Sequence, residues 1–233
     1  MTQETIALAL IWYVAFLLAL TCHEAAHALA AKRGGDMTAH EAGQVTLNPL
    51  PHMRREPIGT IVAPLITFFV SGFMLGWASA PYDRLWQQRH PRRAALMALA
   101  GPAANFVLVV LAAAAIRGGI AAGWFAPPEA ANFSHMVAAT RAGAAEAAAK
   151  FLSIVFSLNL MLGAFNLLPF PPLDGNTAVG LLLPERAALR FVELSRSPMF
   201  AFVGLIIAWR LFGEVAGLIF RGGLMILYPE LVL

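Results

Sequence analysis

The segment LALTCHEAAHALAAKRGG, Leu18 to Gly35, places His23, Glu24 and His27 inside a long apolar run. The pattern is H-E-x-x-H. On a helix, residues i and i+4 share a face, so both imidazoles reach one ion, and Glu24 stands beside the first of them. Neutral imidazole and carboxylate suit zinc, and three protein ligands leave a position open for water. Zinc lowers the pKa of such a water to about 7, which makes hydroxide available at neutral pH, with Glu24 placed to take the proton. Hydrolysis by an activated water is the chemistry expected of these residues.

Their surroundings weigh against a chance match. A charged side chain in a spanning helix costs about 2.5–3.5 kcal/mol on insertion scales. A site of this kind also needs a third ligand. The candidates are His40, His52, His90, His135 and the acidic residues. Asp174 stands out because PFPPLDGN lies just past the end of another apolar span, where the prolines prevent a continuous helix. Asp-Gly is also a common turn dipeptide, so the residues alone leave this choice open.

The elements that must position these groups are apolar. The chain has 233 residues, 59% of them hydrophobic and 12% charged, with mean hydropathy +0.70. A soluble domain carries about 25% charged residues, so the fold class expected is an all-α polytopic membrane protein in a single domain, 1–233. Spans are expected at about 6–31, 94–116, 151–168 and 199–227. MTQET lacks the basic start of a secretory leader, and the run after it is too long for one, so the first run is read as a span. One cysteine, Cys22, excludes an internal disulfide and a cysteine-based metal cluster. The arginines border apolar runs and form no continuous basic face, which argues against a nucleic-acid partner and for membrane lipid.

Residues 58–80 are apolar but broken by Gly59, Pro64, Gly72 and Gly76. If this stretch crossed fully, Lys and Arg would divide evenly between the two sides. If it dips in and returns, residues 32–93 and 184–198 share one side with eleven, and 117–150 face the other with three. The positive-inside rule favours the second arrangement, a re-entrant or broken segment, with the site towards the cytoplasm. It also puts His23, His27 and Asp174 at one depth. Arg210 and Glu214 interrupt the last span. They are spaced to pair on one helix face, and two short elements with a polar joint are the alternative.

Three motifs in order, HEAAH, AGPAAN (Ala100 to Asn105) and FNLLPFPPLDG (Phe165 to Gly175), resemble those of the site-2 protease family of intramembrane zinc metalloproteases. TLNPLPHMRREPIGT and GWASAPYDRLWQQRHPRR are similar to a small bacterial branch without PDZ or CBS domains. HMRREP is two residues longer than the His-x-Asp-Pro usual there, and Ser79 stands where a lysine is frequent. The resemblance implies a helical bundle with short β or loop pieces near the active site. It implies one Zn2+ held by His23, His27 and Asp174, with Glu24 as general base. Asn166 would hold substrate or the oxyanion, and His52 would contribute to substrate binding. Gly101, Pro102 and Asn105 belong to helix packing and local hydrogen bonding.

The implied activity is hydrolysis of peptide bonds in or near transmembrane segments, in a bacterial cell membrane, on a transmembrane protein or peptide. An extended substrate would add to a strand edge at QVTLN. The alternatives are an inactive family member and a metal transporter or sensor using the same His/Asp site. A transporter gains nothing from Glu24 between the ligands. The oligomeric state is open.

Overall fold

The computed structural model describes residues 2–195 and 197–229. Residues 1, 196 and 230–233, part of the domain expected over 1–233, lie outside the described residues. Helix α1, Gln3–Gly34, starts at Thr2, whose side chain accepts from the Thr5 N–H, and stops at Gly35. Gly35 has φ 96°, a left-handed cap that a Cβ would strain. Two short helices follow, α2 (Thr38–Glu41) and α3 (Pro49–Arg55). A π-helical turn, Ile58–Val62, runs into α4, Ala63–Ser71. Helix α5, Arg84–Arg89, leads into α6, Pro91–Ala121. Strands β1 (Phe125–Ala126) and β2 (Ala138–Ala139) pair antiparallel before α7, Ala144–Asn166. Then come α8 (Asp174–Ala178), a 3-10 turn, α9 (Glu185–Leu194) and α10 (Pro198–Leu227).

Helices α1, α6, α7 and α10 are each long and apolar enough to cross a membrane. The shortest, α7, has 23 residues and reaches about 35 Å, against a hydrocarbon core of about 30 Å. The chain is an all-α polytopic membrane protein. Helix α7 begins before residue 151 because alanine-rich 144–150 favours helix even where it is less apolar.

Lipid tails are as apolar as leucine, so burial alone does not drive helices together in a membrane. Close packing and hydrogen bonds between helices do. Ala15, Ala19, Ala28, Ala112 and Ala149 are accordingly buried, beside the larger Trp12, Phe16, Ile116, Ile154 and Phe156. Trp12 Nε1 donates to Ser134 Oγ at 3.1 Å, and the Tyr228 hydroxyl donates to the Met136 carbonyl at 2.7 Å.

Helices α1 and α6 run antiparallel. The Gly34 carbonyl at the end of α1 accepts from Trp86 Nε1 at 3.0 Å and from Arg93 at 3.1 Å, next to the start of α6. Asp36 accepts from the Asp83 N–H at 2.8 Å. The 35–90 connection therefore begins and ends at one end of the bundle. Within it, residues 58–80 form a hairpin. The π turn and α4 run outward over 14 residues, about 21 Å, too short to cross. Gly72, at φ 81°, reverses the chain, and an extended segment returns. The Trp77 N–H donates to the Gly59 carbonyl at 3.1 Å, and Ser79 Oγ donates to Glu56 Oε1 at 2.8 Å, so the two ends of the hairpin meet.

Three local readings need correction. The β pieces do not lie near the site: among the described residues, β1 and β2 join the far ends of α6 and α7. QVTLN is not a strand but a series of bends. Thr46 Oγ1 accepts from the Asn48 N–H, and Asn48 Oδ1 accepts from the Leu50 N–H. These side chains take up the backbone donors that a strand would present. Helix α10 is continuous, so its polar residues do not mark a joint between two short elements.

Candidate metal centre

The site is assembled from α1, the first half of α6 and the start of α8. His23 and His27 are both buried, one turn apart on α1, with Nε2 atoms 2.9 Å from each other. Asp174 Oδ2 lies 3.1 Å from His23 Nε2, and Oδ1 lies 3.3 Å from His27 Nε2. One ligand atom from each of the three residues falls within 4.8 Å of the others.

Asp174 arrives from far along the chain. After α7 ends at Asn166, tight turns carry the backbone round, with the Phe170 N–H bonded to the Leu168 carbonyl and the Leu173 N–H to the Phe170 carbonyl. The prolines at 169, 171 and 172 cannot continue the helix. Gly175 follows Asp174 because α8 folds back onto the end of α7. A Cβ at Gly175 would run into the carbonyls of Leu167 and Leu168. The Asp-Gly pair is thus a turn and a ligand position at once.

Hydrogen bonds behind the imidazoles decide which nitrogens face the centre. His27 Nδ1 lies 2.8 Å from the Met97 carbonyl, an acceptor only, so Nδ1 carries the proton. For His23 the chain of bonds is longer. Asn159 Nδ2 donates to the Val155 carbonyl at 2.8 Å, which leaves Asn159 Oδ1 as acceptor. Asn105 Nδ2 donates to that oxygen at 2.7 Å, so Asn105 Oδ1 faces His23 Nδ1 at 2.7 Å and accepts its proton. In neutral imidazoles both Nε2 lone pairs then point into the centre. Asp174 Oδ2 is buried there and, among the described residues, has no hydrogen-bond donor. Two lone pairs and a carboxylate repel one another, and a cation among them makes every contact attractive. The donor set, two imidazoles and a carboxylate, fits zinc.

Space is kept for that cation by Gly101 on α6. A Cβ there would stand 2.6 Å from His23 Nε2 and would overlap His27 Nε2. Glu24 is 4% exposed, and among the described residues its carboxylate accepts no hydrogen bond. Asn166 closes α7, half-buried, with a side-chain amide that has no partner among the described residues. His52 is buried on α3, and its Nε2 lies 3.1 Å from the Thr46 carbonyl. His40, on α2, lies beside Lys32, and His135 beside Asn132, both away from the centre.

Residues 11–211 match the profile of Peptidase family M50. The chain belongs to that family. It is 32% identical to "Putative zinc metalloprotease YwhC" of Bacillus subtilis over 196 residues, 83% of this chain and 78% of the relative. It is 31% identical to "Putative zinc metalloprotease Rip2" of Mycolicibacterium smegmatis, and 32% to the Rip2 of Mycobacterium tuberculosis strain H37Rv. Those alignments cover 70% and 82% of this chain but only 54% and 63% of the relatives. No solved structure matches. An M50 chain with such relatives is a member of a family of zinc-dependent peptidases, and its cofactor is zinc.

Two contributions were not legible as site features. The resemblance gives Asn105 helix packing and local hydrogen bonding, and the structure directs that bond to His23. The sequence signal for Asn159 is a lone asparagine in the apolar run SLNLML, the mark of a buried polar link. Outer-shell partners of this kind typically carry 10–100-fold in metal affinity. Asn105→Ala is expected to weaken zinc binding by about 10–100-fold while leaving the helices folded. A competition titration with a zinc chelator measures this, and unchanged affinity would remove Asn105 from the site.

Proposed function

We propose that this chain is an intramembrane zinc metalloprotease, which hydrolyses peptide bonds in or near transmembrane segments of membrane proteins. The observation that carries the reading is the place of the three clustered ligand atoms. His27 stands seven residues, about 10 Å, from the end of a helix long and apolar enough to cross a membrane. The bundle end nearest the site also carries Lys32, Arg33, Arg92 and Arg93, which favours a cytoplasmic position in a bacterial cell membrane.

His23, His27 and Asp174 would hold zinc. The chemistry zinc supplies in such a site is Lewis-acid activation of water and of the scissile carbonyl. The chain's own groups do the rest. Glu24 takes a proton from the attacking water and returns it to the leaving nitrogen. Asn166, with its amide unengaged among the described residues, donates to the oxyanion or holds the substrate backbone. His52 contributes by tying residues 46–52 into one loop on the substrate side. A substrate helix must unwind locally first, since its carbonyls are engaged within the helix.

The test uses the purified full-length chain in lipid vesicles with a transmembrane reporter. Cleavage is expected, lost on chelation and restored by zinc. Reporter left intact at full zinc loading would refute the activity. A cysteine at Arg89 in right-side-out vesicles tests the orientation, and labelling from the outer face would overturn it.

A further inference from the structure

Helix α10 carries three charged residues that the site does not use. Arg210, Glu214 and Arg221 are all exposed. They share one face with Val203, Ile206, Gly213 and Gly217, because steps of three, four and seven residues return to one side of a helix. The opposite face holds the buried residues Gly204, Ala208, Gly223 and Leu227. Gly204 lies against Pro171, and Gly223 against Leu160 and Phe156. Packing within the chain therefore covers one side of α10 and leaves the charged side outward.

Arg210 and Glu214 have the spacing of a helix ion pair, yet among the described residues neither makes an ion pair or a hydrogen bond. They stand about 18 and 24 Å along a helix about 45 Å long, well inside the hydrocarbon. Arg221 is six residues from the end, close enough for a long side chain to snorkel to the interface. Arg210 and Glu214 have no such exit.

Lipid tails offer no charge or hydrogen bond at that depth. Any other helix would need a matching pair at a matching height, whereas a second copy of this chain supplies one automatically. A two-fold axis along the membrane normal sets the two α10 helices parallel. Arg210 of each copy then meets Glu214 of the other, one turn along. Gly213 and Gly217 supply the close approach this needs: they are spaced G-x-x-x-G, and a Cβ at either would meet nothing within 4 Å. We infer that the outward face of α10 is a homodimer interface, closed by two reciprocal Arg210–Glu214 pairs over a Gly213/Gly217 crossing.

The experiment reads energy transfer between donor- and acceptor-labelled copies of the full-length chain in phosphatidylcholine–phosphatidylglycerol vesicles, as a function of protein-to-lipid ratio. Wild type is expected to dimerise. Gly217→Leu and Glu214→Arg should each weaken the dimer at least about 10-fold, and the swap Arg210→Glu with Glu214→Arg should restore it to within about 3-fold. Zinc content of one per chain checks that each variant is folded. A monomeric wild type would give the face to lipid or to another helix and overturn the inference. So would a dimer indifferent to both single variants, or a swap that restores nothing.

Discussion

Replacing Gly101 by alanine is expected to abolish zinc binding in a bundle that still folds. In an ordinary helix interior the change from glycine to alanine stabilises by about 0.8–1 kcal/mol. At Gly101 the sign reverses for the metal. The added carbon would stand 2.6 Å from His23 Nε2, where non-bonded carbon contacts settle near 3.5–4.0 Å. The imidazoles cannot swing aside freely. Asn105 holds His23 and the Met97 carbonyl holds His27, and both partners sit on the same helix as the new methyl. Bound zinc should fall more than about 100-fold in affinity, beyond the loss typical of an outer-shell change. Elemental analysis of purified protein, with circular dichroism for helix content, measures both halves of the expectation. A variant that keeps one zinc per chain would mean the centre is elsewhere.

Glu24→Gln should leave zinc in place and remove turnover. The substitution keeps the shape of the side chain and deletes its ability to accept a proton. General-base catalysis contributes about 10²–10⁴, so cleavage of the reporter should drop by that factor. His23, His27 and Asp174 do not rely on Glu24 for their hydrogen bonds, so metal content should be unchanged. The same variant separates the competing readings. A metal transporter would keep its flux, and a binding protein would keep its partner. Cleavage within about 3-fold of wild type would take the general-base role from Glu24.

How far the site can be read without the structure depends on distance along the chain. His23, Glu24 and His27 are neighbours on one helix, so spacing alone places two imidazoles together. The charge count over residues 32–93 pointed to a returning segment because the distribution of Lys and Arg is a property of order in the chain. A strand edge at QVTLN does not form, because the side chains of Thr46 and Asn48 bond the nearby backbone N–H groups. Arg210 and Glu214 are spaced as a pair, yet among the described residues neither is paired.

The sequence by itself determined the membrane class, the helical segments and the chemistry of the HEAAH turn, because each follows from local composition and period. Only the tertiary structure decided that Asp174 meets both imidazoles, that Gly101 leaves the volume between them, and that Asn105 and Asn159 set which ring nitrogens face inward. Those contacts join residues tens of positions apart. Their geometry is settled by how α1, α6 and α7 pack, which no local pattern encodes.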